Sequence, residues 1–151
     1  MSVLLPYLAI VVLLVLGGAV SPVPEEVALA AIGFAVAHGE LALVPSLGAG
    51  IVGVLLGDLA IFATGAATRR GARLLGLRPS EAMQARAERV IARFGALAIL
   101  IARLVPGLRG AVFFASGGAG WSARRVIGLD LAAAVVHVPV VIALGMIAQR
   151  S

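Results

Sequence analysis

The run FGALAILIARLVPGLRGAVFFASGGAG, residues 94–120, decides how this chain is read. Its flanks are apolar, yet Arg103, Pro106, Gly107 and Arg109 sit in its middle, and Gly117, Gly118 and Gly120 close it. Proline removes a backbone donor and breaks a helix, and the glycine beside it lets the chain reverse. Non-helical backbone at membrane depth survives only when it is buried in protein or lines a watery cavity. The stretch therefore reads as a re-entrant helical hairpin rather than a span.

Working outward, residues 22–37 repeat the pattern. They begin Pro22-Val23-Pro24-Glu25-Glu26 and run about eleven apolar residues to His38, too few to cross a bilayer. They read as a second re-entrant hairpin. Three other stretches read as spans: residues 3–20; residues 41–66, interrupted only by Asp58; and residues 126–148, which carry Asp130, His137 and Pro139. Met1-Ser2-Val3 offers no basic n-region, so residues 3–20 are expected to be a retained helix and not a signal peptide. Between the halves, Pro79-Ser80-Glu81 predicts a helix start with Ser80 as N-cap. Met83, Ala87, Val90 and Phe94 then share one side and Arg86, Arg89 and Arg93 another. That pattern fits an interfacial amphipathic helix and, equally, a solvated connector.

Composition agrees. Of 151 residues, 62% are hydrophobic and 13% charged, with a mean hydropathy of +1.13. Soluble domains carry roughly twice that charge, which excludes a water-soluble globule. The net charge of +5 does not point to nucleic acid: seven arginines fall within residues 69–93, as cytoplasmic loops require. The absence of cysteine excludes disulfides and thiolate chemistry, and two histidines, His38 and His137, cannot build a zinc site. No cofactor and no metal are expected.

Arginine placement orients the chain. Arg69, Arg70 and Arg73 put the end of the second span in the cytoplasm, and Arg124-Arg125 return there. One hairpin then opens outward and the other inward, each followed by a span, which is an inverted repeat of the kind secondary transporters use. The expectation is an all-α, multi-pass integral membrane protein: about three transmembrane helices and two opposed re-entrant hairpins. It forms one membrane domain over 1–151, with halves at 1–68 and 94–151 and a cytoplasmic amphipathic connector at 69–93.

Ionisable groups at depth cost at least about 2.5–3.5 kcal/mol each by insertion scales. Five are expected there: Glu26, Asp58, Arg103, Arg109 and Asp130. Around the Pro106-Gly107 break the two guanidiniums can converge, and their fork geometry suits phosphate or carboxylate. Equally, they can pair with Glu26 and Asp58 and hold the hairpins together. Three acids against two arginines leave one acid unmatched, which makes a proton-coupled cycle reasonable. Asp130, His137 and His38 are secondary candidates, Asp130 near the interface and His137 beside a Pro139 kink.

These residues resemble the DedA family, also called the SNARE-associated or VTT-domain family. The resemblance rests on Pro22-x-Pro24-x-Glu26, on Gly57-Asp58 followed by Phe62, Gly65 and Gly71, and on Phe94-x8-Arg103-x2-Pro106-Gly107-x-Arg109 with Gly117. It covers about residues 20–148. It implies a bacterial inner-membrane protein with two facing hairpins that moves phospholipids or undecaprenyl phosphate between leaflets, dependent on the proton-motive force. By position, Glu26, Arg103 and Arg109 match residues the family depends on, and Asp58 its Gly-Asp segment. His38 stands where a second acid is frequent, and His137 near a frequent tryptophan.

The leading expectation is thus a transporter of an anionic lipid phosphate. Arg103, Arg109, Pro106 and Gly107 form its substrate site, Glu26 and Asp58 couple protons, and membrane lipids are its partners. A homodimer is compatible with so small a transporter. The alternative is a small-anion or oxyanion transporter of the same fold. A lipid phosphatase or phosphotransferase ranks below both, because no Asp-rich metal motif and no His-Asp-Ser grouping is visible, so no enzyme activity is expected.

Overall fold

The computed structural model describes residues 3–20, 25–69, 71, 79–105 and 107–150. All regular structure among them is helical. In order, the helices are α1 (Leu5–Val20), α2 (Glu25–Ala37), α3 (Leu43–Arg69), α4 (Glu81–Phe94), α5 (Ala98–Ala102), α6 (Leu108–Gly118) and α7 (Ala123–Ala148), with a 3₁₀ turn at Gly95–Leu97. Residues 21–24 and Pro106, on which part of the sequence reading rests, lie outside the described residues.

Among the described residues two helices are long and apolar enough to cross a bilayer: α3 with 27 residues and α7 with 26, each roughly 40 Å long. At 16 residues, α1 falls short of the length expected of a third span. Their side chains fit a lipid solvent. Val44, Val136 and Leu144 are exposed although apolar. In α7 only 22% of the most apolar window is buried. Such surface is stable against acyl chains and unstable in water.

The chain divides into two compact units, residues 1–57 with 134–151 and residues 58–133, so that α3 and α7 each contribute to both. In the first unit, Leu14, Leu29, Val54, Val138 and Ile142 form the core. Here α2 crosses the distal part of α7 at two glycines. A Cβ at Gly33 would overlap the Ile142 carbonyl oxygen, and one at Gly145 would overlap that of Ala30. Only glycine lets these backbones meet. The described part of the expected hairpin, residues 25–37, shows no fold-back. Residues 25–37 make one continuous helix, because nothing after Glu25 interrupts its hydrogen bonding, and α2 packs on α1 instead.

The second unit is built around Phe113, Val112, Ile99 and Val126. The distal part of α3 crosses α6 by the same device: a Cβ at Gly65 would overlap the Phe114 carbonyl oxygen, and one at Gly117 that of Phe62. Residues 94–120 do form a helical hairpin, with α5 packed on α6. Helix α5 ends at Ala102, and Gly107 caps the start of α6 with φ +81°, a left-handed conformation open to glycine. Helix α4 begins as its sequence predicts, Ser80 Oγ accepting from the Met83 amide at 3.3 Å. Its apolar side does not face lipid. Ala87 is fully buried, and Met83, Val90 and Ile91 pack on the same core as α6. The hairpin offered a protein surface for that stripe, so the connector is a docked helix and its arginines 86, 89 and 93 point outward.

Candidate functional site

Four charged side chains converge in the second unit. The hairpin break delivers Arg103 and Arg109; α3 delivers Asp58 from its eleventh residue before Arg69; α7 delivers Asp130 from its third turn. Arg103 donates through Nε to Asp130 Oδ1 at 3.1 Å, and through Nη2 to the same oxygen. Its Nη2 also donates to Asp58 Oδ2 at 2.8 Å. Arg109 Nε lies 3.1 Å from Asp58 Oδ1. Asp58 therefore bridges two guanidiniums and Arg103 bridges two carboxylates. Two positive and two negative charges cancel, which is how four ionisable groups can be kept out of water together.

Burial separates the roles within this quartet. The Arg103 and Asp58 side chains are 3% and 0% exposed. Arg109, the member with surface, keeps 15%. Arg109 is thus the accessible guanidinium of the set, and Arg103 is fixed between two acids. The surrounding wall is apolar, with Leu108, Ala102 and Phe113 buried nearby in the same core. In such surroundings a charge-assisted hydrogen bond is stronger than in water.

The arginines and Asp58 are thus joined as the sequence suggested, with different acids completing the set. Glu26 was expected to face the arginine hairpin, and Asp130 to sit near the interface. Instead Asp130, 2% exposed, is the second partner of Arg103. Glu26 belongs to the other unit, where its Oε1 lies 3.8 Å from His137 Nε2. The helical register explains this: residues 130 and 137, seven apart, share a face of α7, but that helix is divided between the units. His137 is therefore more than a kink residue. His38 is not an internal acid substitute. It is exposed at the end of α2, its Nδ1 2.9 Å from the Phe34 carbonyl oxygen and its ring 4.2 Å from that of Phe34. Among the described residues no cluster of histidine and carboxylate groups could hold a metal ion.

Sequence reasoning missed the glycine crossings. All four glycines end the pattern x-Ala-x-Gly: Ala30-Ala-Ile-Gly33, Phe62-Ala-Thr-Gly65, Phe114-Ala-Ser-Gly117 and Ile142-Ala-Leu-Gly145. In each crossing, the carbonyl that meets a glycine belongs to the first residue of the partner's pattern. Comparing tetrapeptides between the halves would have found it.

A family model described as the VTT domain matches residues 6–147. No curated protein and no solved structure matches the chain.

Proposed function

The chain belongs to the VTT-domain family, the domain of DedA and SNARE-associated proteins, and we propose that it is a membrane transporter that moves an anionic lipid phosphate between leaflets. The observation that carries the reading is the neutral quartet of Arg103, Arg109, Asp58 and Asp130, placed at a helix break. A scaffold has no need of four charges there, and a hydrophobic replacement of a buried ion network is often neutral or stabilising. A phosphate changes the balance. It competes with Asp58 for Arg109, whose guanidinium offers two parallel donors to two phosphate oxygens. The acyl tails stay in lipid while the head group crosses beside the hairpin of residues 94–120, which we read as re-entrant.

Proton coupling falls to the other unit. Glu26 is the acid left over once the quartet is balanced, and its Oε1 faces His137 Nε2 at 3.8 Å. In this reading, protonation of the Glu26–His137 pair changes the charge that α2 and the end of α7 present. A transporter of free small anions would use the same arginines but needs a sealed aqueous path. The deciding experiment is lipid translocation in proteoliposomes, with fluorescent undecaprenyl phosphate or phospholipid, wild type against Arg109→Gln. Loss of translocation with intact fold supports lipid transport. Full translocation in Arg109→Gln, or uptake of phosphate ion without lipid movement, overturns it.

A further inference from the structure

We propose that the second unit holds an additional binding site for the anionic head group of a bilayer phospholipid, centred on Arg69 and Trp121 and separate from the quartet. The proposal rests on the membrane reading of the chain. It does not depend on the quartet's role.

Arg69 is the last residue of α3, eleven residues and roughly 16 Å along that helix from Asp58. It lines two cavities, one on each side. The first, about 460 Å³, also carries Gln84 and Glu88. Gln84 Nε2 donates to Glu88 Oε1 at 3.5 Å, and this carboxylate repels an anion. The second, about 550 Å³, is lined by Phe62, Ala66, Gly117, Gly120, Trp121 and Ala123. Among the described residues, Arg69 is its only charged wall. The two cavities thus differ in the property that decides anion binding.

Three further features point into the second cavity. Gly120, at φ +79°, lets the Arg69 guanidinium lie against its backbone, in space that a Cβ would fill. Among the described residues no ion pair or hydrogen bond holds the Arg69 guanidinium, which carries five donors. Trp121 contributes an aromatic wall and one N–H donor, and Arg125 lies over its ring at 5.5 Å, bringing a second positive charge. Ala123 begins α7, whose positive end adds to the field.

The shape is amphiphilic. The guanidinium meets a phosphate, while Phe62 and Trp121 meet the glycerol and first methylenes of an acyl chain. Tryptophan and arginine together are the residue types that settle at a head-group boundary, and basic pockets between membrane helices recognise anionic lipids. A free phosphate would satisfy Arg69 alone and leave the apolar walls unused.

Trp121 is the sole tryptophan, so its emission reports on this cavity alone. The test is a fluorescence titration of the full chain in nonionic detergent with short-chain phosphatidylglycerol, phosphatidylcholine of the same chain length, and inorganic phosphate. We expect a saturable shift with phosphatidylglycerol and neither of the others at matched concentration. Arg69→Gln should weaken binding about fivefold, the loss of one basic contact near a head group. Arg69→Lys should fall between, and it carries the test if Arg69→Gln does not fold. Gly120→Ala, which keeps every charge but displaces the guanidinium, should also weaken binding. Arg109→Gln should leave the titration unchanged. An equal response to phosphatidylcholine, equal affinity for inorganic phosphate, or unaltered binding in both Arg69 variants overturns the proposal. If Arg109→Gln still abolishes translocation in that case, the transporter reading stands and this site alone fails.

Discussion

The two units use one packing device and opposite electrostatics. In each, two helices cross where paired glycines bring backbone against backbone: Gly33 with Gly145 in one, Gly65 with Gly117 in the other. Close approach of this kind also places Cα–H groups against facing carbonyl oxygens. Yet the unit of residues 58–133 also buries Arg103, Asp58 and Asp130, with the partly exposed Arg109 joined to them. The other sets a half-exposed Glu26 against His137, and the one fully buried polar side chain described in it is the uncharged Ser46. Repetition of the crossing shows that it is architecture. The charges, present in one copy only, need a separate explanation, and in a membrane a buried charge defaults to function.

The largest expected effect tests whether the quartet also holds its unit together. Removing Arg103 takes one guanidinium contact from Asp58 and both described arginine bonds from Asp130, so Arg103→Met should lower stability by about 3–5 kcal/mol. Thermal melting of detergent-solubilised protein measures this. Arg103→Lys keeps the charge and loses the fork, and should recover only part. If Arg103→Met melts as wild type does, the quartet contributes nothing to the fold.

Next come the crossings. Gly65→Ala and Gly117→Ala drive a methyl into backbone, as do Gly33→Ala and Gly145→Ala, and overpacking costs about 1–3 kcal/mol. The four losses should be similar, which would confirm the crossings as equivalent. Gly48→Ala, on α3 with nothing within 4 Å of its Cβ, is the control. It should be neutral or stabilise by about 0.5–1 kcal/mol.

What the sequence made legible follows from what short-range chemistry dictates. The interruption between α5 and α6 was readable because proline and glycine act locally, and so was the Ser80 cap. The helical class followed from apolar excess. The partner of Arg103 was not readable. Glu26 and Asp130 are both acids at depth, and only the packing of α3, α7 and the hairpin into one unit chooses between them. The apolar stripe of α4 was visible, but whether it meets lipid or α6 depends on tertiary structure. The x-Ala-x-Gly pattern lay in plain view. It carries no chemistry by itself, and its meaning appears only when two copies face each other.

Within the quartet, the carboxylates sharpen the comparison further. Asp58 meets both guanidiniums and Asp130 meets one, so Asp58→Asn should cost more stability than Asp130→Asn. Both should leave the first unit's crossing intact, read as unchanged amide-exchange protection of α2. Equal losses for the two variants would mean that Arg109 draws little from Asp58.

The smallest stability effect is expected at Glu26 and His137, and here function and stability should part. At 3.8 Å, with Glu26 about half exposed, the pair resembles a surface ion pair, worth about 0–1 kcal/mol. A double-mutant cycle of Glu26→Gln, His137→Gln and the double variant should give a coupling no larger than that. The pair would hardly hold α2 to α7, since the glycine crossing already does so. A pair that contributes little to stability is free to change protonation without unfolding its unit, as a coupling site must, whereas the quartet cannot lose a charge so cheaply. Proteoliposome transport with and without an imposed pH gradient separates these roles. Glu26→Gln should keep the fold and still transport, but with a weakened response to the gradient. His137→Gln should show the same deficit, and the double variant no more than either alone. If each single variant responds to the gradient as wild type does, coupling does not run through this pair, and Asp58 is the acid left to carry it.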